Sequence, residues 1–253
     1  MYGGYANSAT RSFIGRCNIK RQDNPELKRR ILKHLAHIYK IDEVREVNHL
    51  STYVYCRTKA FLSQKQATEP TDEEVMLFAL GYGLQDVLTP KGATAPVYKQ
   101  EGIIYRPDMS FQPLLTEIEQ LVELKTTRKS AKYHYIDEHL PETWLDYMKG
   151  GCKLRGVNEY DLIVLYMMGG YSPPFPQIYC DRFTFTADEI EQNWQKLLKQ
   201  KAVLDEALAT DTMPTPFQNN YDWECRFCRF LTVCQVLGQV SSRGLEEDKG
   251  RWK

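Results

Sequence analysis

Tyr105-Arg106-Pro107-Asp108, followed by Val122-Glu123-Leu124-Lys125-Thr126-Thr127, is the stretch whose reading decides the fold. An aspartate comes first, and fifteen residues later a glutamate and a lysine stand one apolar residue apart. Strand side chains alternate between faces, so Glu123 and Lys125 point one way and Leu124 points the other, into the core. Asp108 opens a neighbouring strand-like run and can reach the same spot. Two carboxylates hold a hard divalent cation through oxygen, and a nearby ammonium orients water and steadies a phosphate. That is a minimal kit for metal-assisted phosphodiester hydrolysis. On these three residues alone, a solvated strand edge carrying an ion pair explains the pattern equally well.

The 253 residues are enough to bury a sizeable core in one domain. Hydrophobic content of 42% and charged content of 26% are ordinary for a globular protein. Lys+Arg and Asp+Glu are each 33, so the chain as a whole is not a strongly basic nucleic-acid binder, and any such binding needs a local patch. No long apolar run predicts a membrane span. The Gly/Tyr-rich start has no apolar signal core, which predicts a cytoplasmic protein.

Taken in order, residues 1–24 read as an arm. Asn24-Pro25-Glu26 is a helix start with Asn as N-cap, and apolar spacing carries the helix to about Lys40. Residues 48–65 read as a second helix. Thr71-Asp-Glu-Glu74 is a capping box opening a third helix to about Leu88, with Gly81 and Gly83 inside it. Val97–Tyr105, Asp108–Phe111 and Glu117–Thr126 are predicted strands. A helix from Pro141-Glu142 to about Leu154 follows, then strands at Tyr160–Met168 and Gln177–Thr184. Thr186-Ala-Asp-Glu189 caps a long helix to about Ala209. Residues 241–253 read as a polar tail. The order predicts an α/β fold with a central mixed sheet rather than a doubly wound one. No GxGxxG or Walker A sequence supports a dinucleotide site or an ATPase.

Seven cysteines in a chain of this kind argue against a disulfide framework. Cys225-Arg-Phe-Cys228 followed by Cys234 is a C-x2-C-x5-C pattern, in which a short loop turns two thiolates toward one metal centre. A fourth ligand must come from Cys17, Cys56, Cys152 or Cys180, and the spacing suits zinc as well as iron–sulfur.

Pro107-Asp108 with Glu123-Leu124-Lys125 resembles the PD-(D/E)XK signature of restriction-endonuclease-like nucleases. With the cysteines, the chain resembles RecB-like nucleases that carry an iron–sulfur cluster, over about residues 48–238. The match is to the CRISPR-associated RecB-like exonucleases (the fourth Cas protein family) and to AddB-type and viral relatives. Those nucleases have one cysteine upstream on a helix and three near the C-terminus, and Leu50-Ser-Thr-Tyr-Val-Tyr-Cys56-Arg-Thr-Lys looks like the upstream segment. The resemblance therefore implies a [4Fe–4S] cluster on Cys56, Cys225, Cys228 and Cys234, clasping the ends of one nuclease domain (25–240, cluster segment 214–240). Cys17, Cys152 and Cys180 are left as free thiols.

The resemblance also implies Mg2+ or Mn2+ on Asp108, Glu123 and the Leu124 carbonyl, with Lys125 orienting water. The family's Gly-x-x-x-His helix motif falls on Gly81-Tyr-Gly-Leu-Gln85, so Gln85 stands where a histidine ligand is usual. Its Gln-x-x-x-Tyr motif is not met: Tyr147 falls on the Gln position and Gly151 on the Tyr position. Arg128, Lys129 and Lys132 are expected to guide DNA phosphates, with Tyr147 touching DNA and Tyr133 and Tyr135 stacking on bases. His134 and His139 are expected to be surface histidines. The implied function is a metal-dependent DNA exonuclease acting on single-stranded ends, in CRISPR adaptation, recombination or viral DNA processing. The same features admit a DNA-end-binding or complex-assembly subunit with weakened cleavage, or a zinc-stapled interaction module. Protein partners and a homo-oligomer remain open.

Overall fold

The computed structural model describes residues 24–41, 47–66, 68–88, 96–111, 120–134, 140–173, 175–215, 224–225 and 228–237. Cys17, Tyr135, His139, the arm before residue 24 and the polar tail lie outside them. Helices α1 (Pro25–Ile38), α2 (Leu50–Val54), α3 (Arg57–Lys65) and α4 (Asp72–Leu88) precede the strands. Strands β1 (Tyr98–Gln100), β2 (Ile103–Tyr105), β3 (Met109–Phe111) and β4 (Gln120–Thr127) follow. Then come α5 (Glu142–Arg155), β5 (Glu159–Tyr166), β6 (Gln177–Thr184), α6 (Ala187–Thr210) and α7 (Leu231–Val236).

The main sheet has the order β3-β4-β5-β6. Its outer pairs are antiparallel, and β4 and β5 are parallel, which their connection through α5 allows. The result is a mixed α/β architecture, a mixed sheet flanked by helices, compatible with the nuclease-like core expected from the sequence. Leu121 of β4 and Tyr160, Leu162, Val164 and Tyr166 of β5 share the main core with α2, α5 and α6, whose largest buried side chain is Trp194. Alternation puts Glu123 and Lys125 on the same face as Leu121, so they, and not Leu124 as expected, face the main core. Val122 and Leu124 form a separate small cluster with Ile163 on the other face. Helices α1 and α4 close a cluster of their own through Leu32, Ala36, Val75 and Ala79.

Capping signals placed the helix starts correctly. The Asn24 side chain accepts from Leu27 N–H at 3.0 Å. Thr71 and Glu74 bond reciprocally, and so do Thr186 and Glu189. Two expectations fail. The expected strand over Val97–Tyr105 is a hairpin, because Glu101 and Gly102 both take positive φ (48° and 78°), the geometry of a two-residue turn between β1 and β2. The expected helix over 48–65 breaks, because Tyr55 and Cys56 are extended (ψ −171° and 115°). The break gives α2 and α3 different directions and sets Tyr55 and Cys56 in the joint.

Helix α5 carries Gly150-Gly151 against the core. A Cβ on Gly151 would lie 2.8 Å from the Tyr105 ring and 2.9 Å from that of Tyr160, and one on Gly150 would lie 2.8 Å from Leu50. Alanine is the better helix former by about 1 kcal/mol, yet here overpacking costs about 1–3 kcal/mol. Gly151→Ala is therefore expected to lower the urea midpoint of unfolding. An unchanged or raised midpoint would show that the two tyrosines yield without cost.

Candidate active site

Asp108 enters the site from the start of β3, whose antiparallel pairing runs Met109 against Val122. Just beyond that pairing, the Leu124 N–H donates to Asp108 Oδ2 at 3.0 Å. Within a strand a residue's N–H and C=O face the same edge. The Leu124 carbonyl therefore faces the Asp108 side, past the end of β3. Glu123, 2% exposed, accepts from Lys125 Nζ at 2.5 Å. The sequence spacing thus does bring Asp108, Glu123 and Lys125 to one place.

The electrostatics follow from burial. Desolvation, and then the Asp108 charge, push Glu123 up to about 8, against the pull of Lys125 in the opposite direction. Asp108 is raised by burial and held back by Lys125 and the Leu124 amide. Burial alone would lower Lys125, but Glu123, Tyr55 and Asp108 outweigh it and hold the ammonium charged. The site therefore gathers two carboxyl groups around one lysine, and its open ligand atoms are hard oxygens. That donor set fits a divalent cation on Asp108, Glu123 and the Leu124 carbonyl.

Gln85 reaches the site from α4, with its amide Nε2 3.1 Å from the Asp108 carbonyl and 3.5 Å from its Oδ1. In this orientation it donates, steadying Asp108, and its oxygen turns away from the carboxylate. Tyr147, expected to touch DNA, is buried instead. Its hydroxyl donates to the Arg106 carbonyl at 3.3 Å, and its ring lies 5.5 Å from Lys125 Nζ.

Sequence reasoning missed three further tyrosines. Tyr160 OH donates to Glu123 Oε2 at 3.5 Å and pairs closely with Tyr105 OH. Both rings fill the space that Gly151 leaves open. Tyr55, raised mainly by burial, feels the charges of Lys125, Glu123 and Asp108. Tyr160 is buried on β5, inside the strand expected over Tyr160–Met168, but nothing in the sequence pairs it with Tyr105.

Cys56, Cys225, Cys228 and Cys234 line one small pocket with Lys59, Glu224 and Leu231. The Cys56 N–H donates to Glu224 Oε1 at 3.2 Å. Burial, followed by the neighbouring thiols of Cys56 and Cys228, pushes Cys225 up to about 11. Four soft sulfurs facing one space match the donor set of a four-cysteine metal or cluster site. Among the described residues no three His, Cys, Asp or Glu side chains are gathered at the spacing one metal ion needs. Cys152, buried and donating to the Glu159 carbonyl, and exposed Cys180 lie outside this pocket.

Arg128, Lys129 and Lys132 are exposed just past β4. His134, expected at the surface, is buried: its Nδ1 lies 2.8 Å from Tyr166 OH and its Nε2 lies 2.7 Å from Asp181 Oδ2. Its partners come from β5 and β6, too far along the chain for local sequence to show them. No helix among the described residues is long and apolar enough to cross a membrane.

No protein-family model and no curated protein matches the chain. The fold is similar to that in the crystal structure of SSO0001, with 17% identity and a TM-score of 0.51, over 85% of this chain and 98% of that one. An alkaline exonuclease (LHK-Exo) from Laribacter hongkongensis aligns at 11% identity and a TM-score of 0.41, over 69% of this chain and 94% of that one. The second alignment is too loose to bear on function, and the likeness to SSO0001 is one of fold.

Proposed function

We propose that this chain is a metal-dependent nuclease that hydrolyses DNA phosphodiester bonds at Asp108, Glu123 and Lys125, acting as an exonuclease on single-stranded ends. The observation that carries the reading is the meeting of Asp108 with the β4 Glu-x-Lys pair, made by the Asp108–Leu124 hydrogen bond at 3.0 Å and the Glu123–Lys125 contact at 2.5 Å. Asp108, Glu123 and the Leu124 carbonyl would hold Mg2+ or Mn2+, with Gln85 fixing Asp108 from behind. When bound, the cation supplies Lewis acidity toward the phosphate and lowers the pKa of its water. Lys125 orients the attacking water and offsets charge on the phosphate. Tyr160, at Glu123, and Tyr147, beneath Lys125, fix the two side chains against rotation. Arg128, Lys129 and Lys132 contact the strand's phosphates. The four pocket cysteines would hold a [4Fe–4S] cluster that ties residue 56 to the C-terminal segment, and Cys152 and Cys180 remain free.

Purified anaerobically, wild-type protein with Mg2+ or Mn2+ is expected to degrade end-labelled single-stranded DNA. Glu123→Gln is expected to lose more than the roughly 10–100-fold that an outer partner of a metal site costs. An inert wild type of intact fold would favour a DNA-end-binding subunit, because Gln85 and Gly151 depart from the pattern of the active family.

Folding is linked to pH through Glu123. Its folded value of about 8 lies above the ordinary carboxylate range, so its proton favours the folded state. That contribution is full below the ordinary carboxylate value and is lost as pH rises through 8. In chelator, the Tm of wild type is therefore expected to fall from about pH 5 to 8, and to fall less in Glu123→Gln. Equal slopes in the two proteins would remove Glu123 as the cause.

Iron and acid-labile sulfide are expected in equal amounts in brown wild-type protein, and Cys56→Ser is expected to lose both. Colourless protein carrying zinc would reject the cluster and leave a zinc staple.

A further inference from the structure

Two loops leave the sheet side by side where the parallel strands β4 and β5 end. The first, residues 128–134, carries Arg128, Lys129 and Lys132. The second, residues 167–176, carries Tyr171 and Phe175, which are 51% and 68% exposed. Neither contains an acidic residue, in a chain whose net charge is zero.

The two loops are built together. Met167 N–H donates to the Thr127 carbonyl at 2.9 Å, and Ala131 N–H donates to the Gly169 carbonyl at 2.8 Å. The Tyr171 hydroxyl donates to the Arg128 carbonyl. A Cβ on Gly170 would lie 3.2 Å from Lys132 Cε, so the lysine stem lies along the second loop. A Cβ on Gly169 would overlap the Phe175 carbonyl, so the second loop is folded tightly on itself. Tyr171 holds a φ of 69°, a left-handed conformation that bulky residues rarely adopt. Beneath, buried His134 anchors the first loop: it bonds Tyr166 and Asp181 and stacks on Tyr179 at 4.2 Å.

We propose that this shelf binds single-stranded DNA, with Tyr171 and Phe175 stacking on bases while Arg128, Lys129 and Lys132 hold phosphates. The inference deepens the nuclease reading and rests on it for the choice of strand. Exposed aromatic faces beside a row of cations are what a sequence-tolerant single-strand site needs, since every base has a π-face and every link a charge. Tyr135 and the side chain of Tyr133, the aromatics expected to stack from the sequence, lie outside what the structure describes. At about 3.3 Å per strand residue, Arg128 lies about 10 Å beyond Lys125 along β4. A strand lying on the shelf can therefore run on to the Asp108–Glu123–Lys125 cluster.

The test uses the full chain carrying Glu123→Gln, with labelled oligothymidylate and a blunt duplex of equal length as probes in Mg2+. Phe175→Ala and Tyr171→Ala are each expected to weaken oligothymidylate binding by about 5-fold or more, with little effect on the duplex. Phe175→Leu, which stays apolar but cannot stack, is expected to weaken it similarly. Tyr171→Phe, which keeps the ring, is expected to retain more oligothymidylate binding than Tyr171→Ala. Lys129→Gln with Lys132→Gln is expected to flatten the salt dependence by about 0.7 per lost phosphate contact. Parent-like binding by both Phe175 variants, or equal losses on duplex and single strand, would overturn the proposal. Cleavage by the Glu123 parent chain is scored separately. Aromatic-dependent binding without cleavage would sink hydrolysis and keep the shelf, and cleavage indifferent to the aromatics would do the reverse.

Discussion

Lys125 and Glu123 form a contact on the side of β4 that faces the main core, and the surroundings are arranged around the consequences. An isolated buried charge is expensive, and a buried pair is tolerated only where further polar groups satisfy the remaining donors and acceptors. Tyr160 bonds Glu123 and is in turn paired with Tyr105, the Tyr147 ring lies by Lys125, and the charge of Asp108 and the side chain of Tyr55 lie close enough to act on the pair. Each of the four tyrosines is itself raised above its ordinary value, first by burial, and each also feels Glu123. The outcome is a polar chamber inside an otherwise apolar core, in which two carboxyl groups and one ammonium converge. Such a chamber is a poor way to stabilise a fold and, with its perturbed carboxyl groups, marks a functional-site candidate.

The break at Tyr55–Cys56 connects this chamber to the cysteine pocket. One residue of the joint faces Lys125 and the next donates its N–H to Glu224 in the pocket. Immediately afterwards Arg57 bonds Thr215 and Gln200, and Thr58 bonds the Pro214 carbonyl. Arg229 reaches back to buried Glu74 on α4. The C-terminal segment is thus fastened by polar contacts across long sequence separations, although it adds Phe230 and Cys234 to the main core. A group bound by the four cysteines would add covalent links between the joint at residue 56 and this C-terminal segment.

Elements with local signals were legible from the sequence: three capped helix starts, β6 to the residue, and the Glu-x-Lys strand with its alternation. What failed needed information from elsewhere in the chain. The Glu101-Gly102 turn lacks the usual Asn-Gly or Asp-Gly signature, so one strand was read where there are two. The α2–α3 break has no proline or glycine, and its cause is tertiary: Tyr55 and Cys56 each have a partner that only the fold supplies. His134 looked like a surface residue because its partners, Tyr166 and Asp181, are 32 and 47 positions away. At the site, the three charged residues were readable because two share a strand and the third opens its neighbour. The tyrosines around them were not, since aromatic residues on core faces look alike until packed.

Gly151 shows why a missing motif residue is weak evidence for a lost activity. By resemblance, a tyrosine on α5 would stand there, and its absence counts against catalysis. In the structure the space that such a side chain would fill is already occupied by the rings of Tyr105 and Tyr160, which a Cβ on Gly151 would meet at 2.8–2.9 Å. Tyr160 then brings a hydroxyl to Glu123 from β5. A phenol from β5 thus stands beside the glutamate, and the glycine on α5 leaves room for its ring. Gln85 follows the same logic: it gives up the role of an imidazole ligand and becomes a donor that holds Asp108 in place. With both departures from the resembled pattern in place, Asp108, Glu123 and Lys125 still meet at one site.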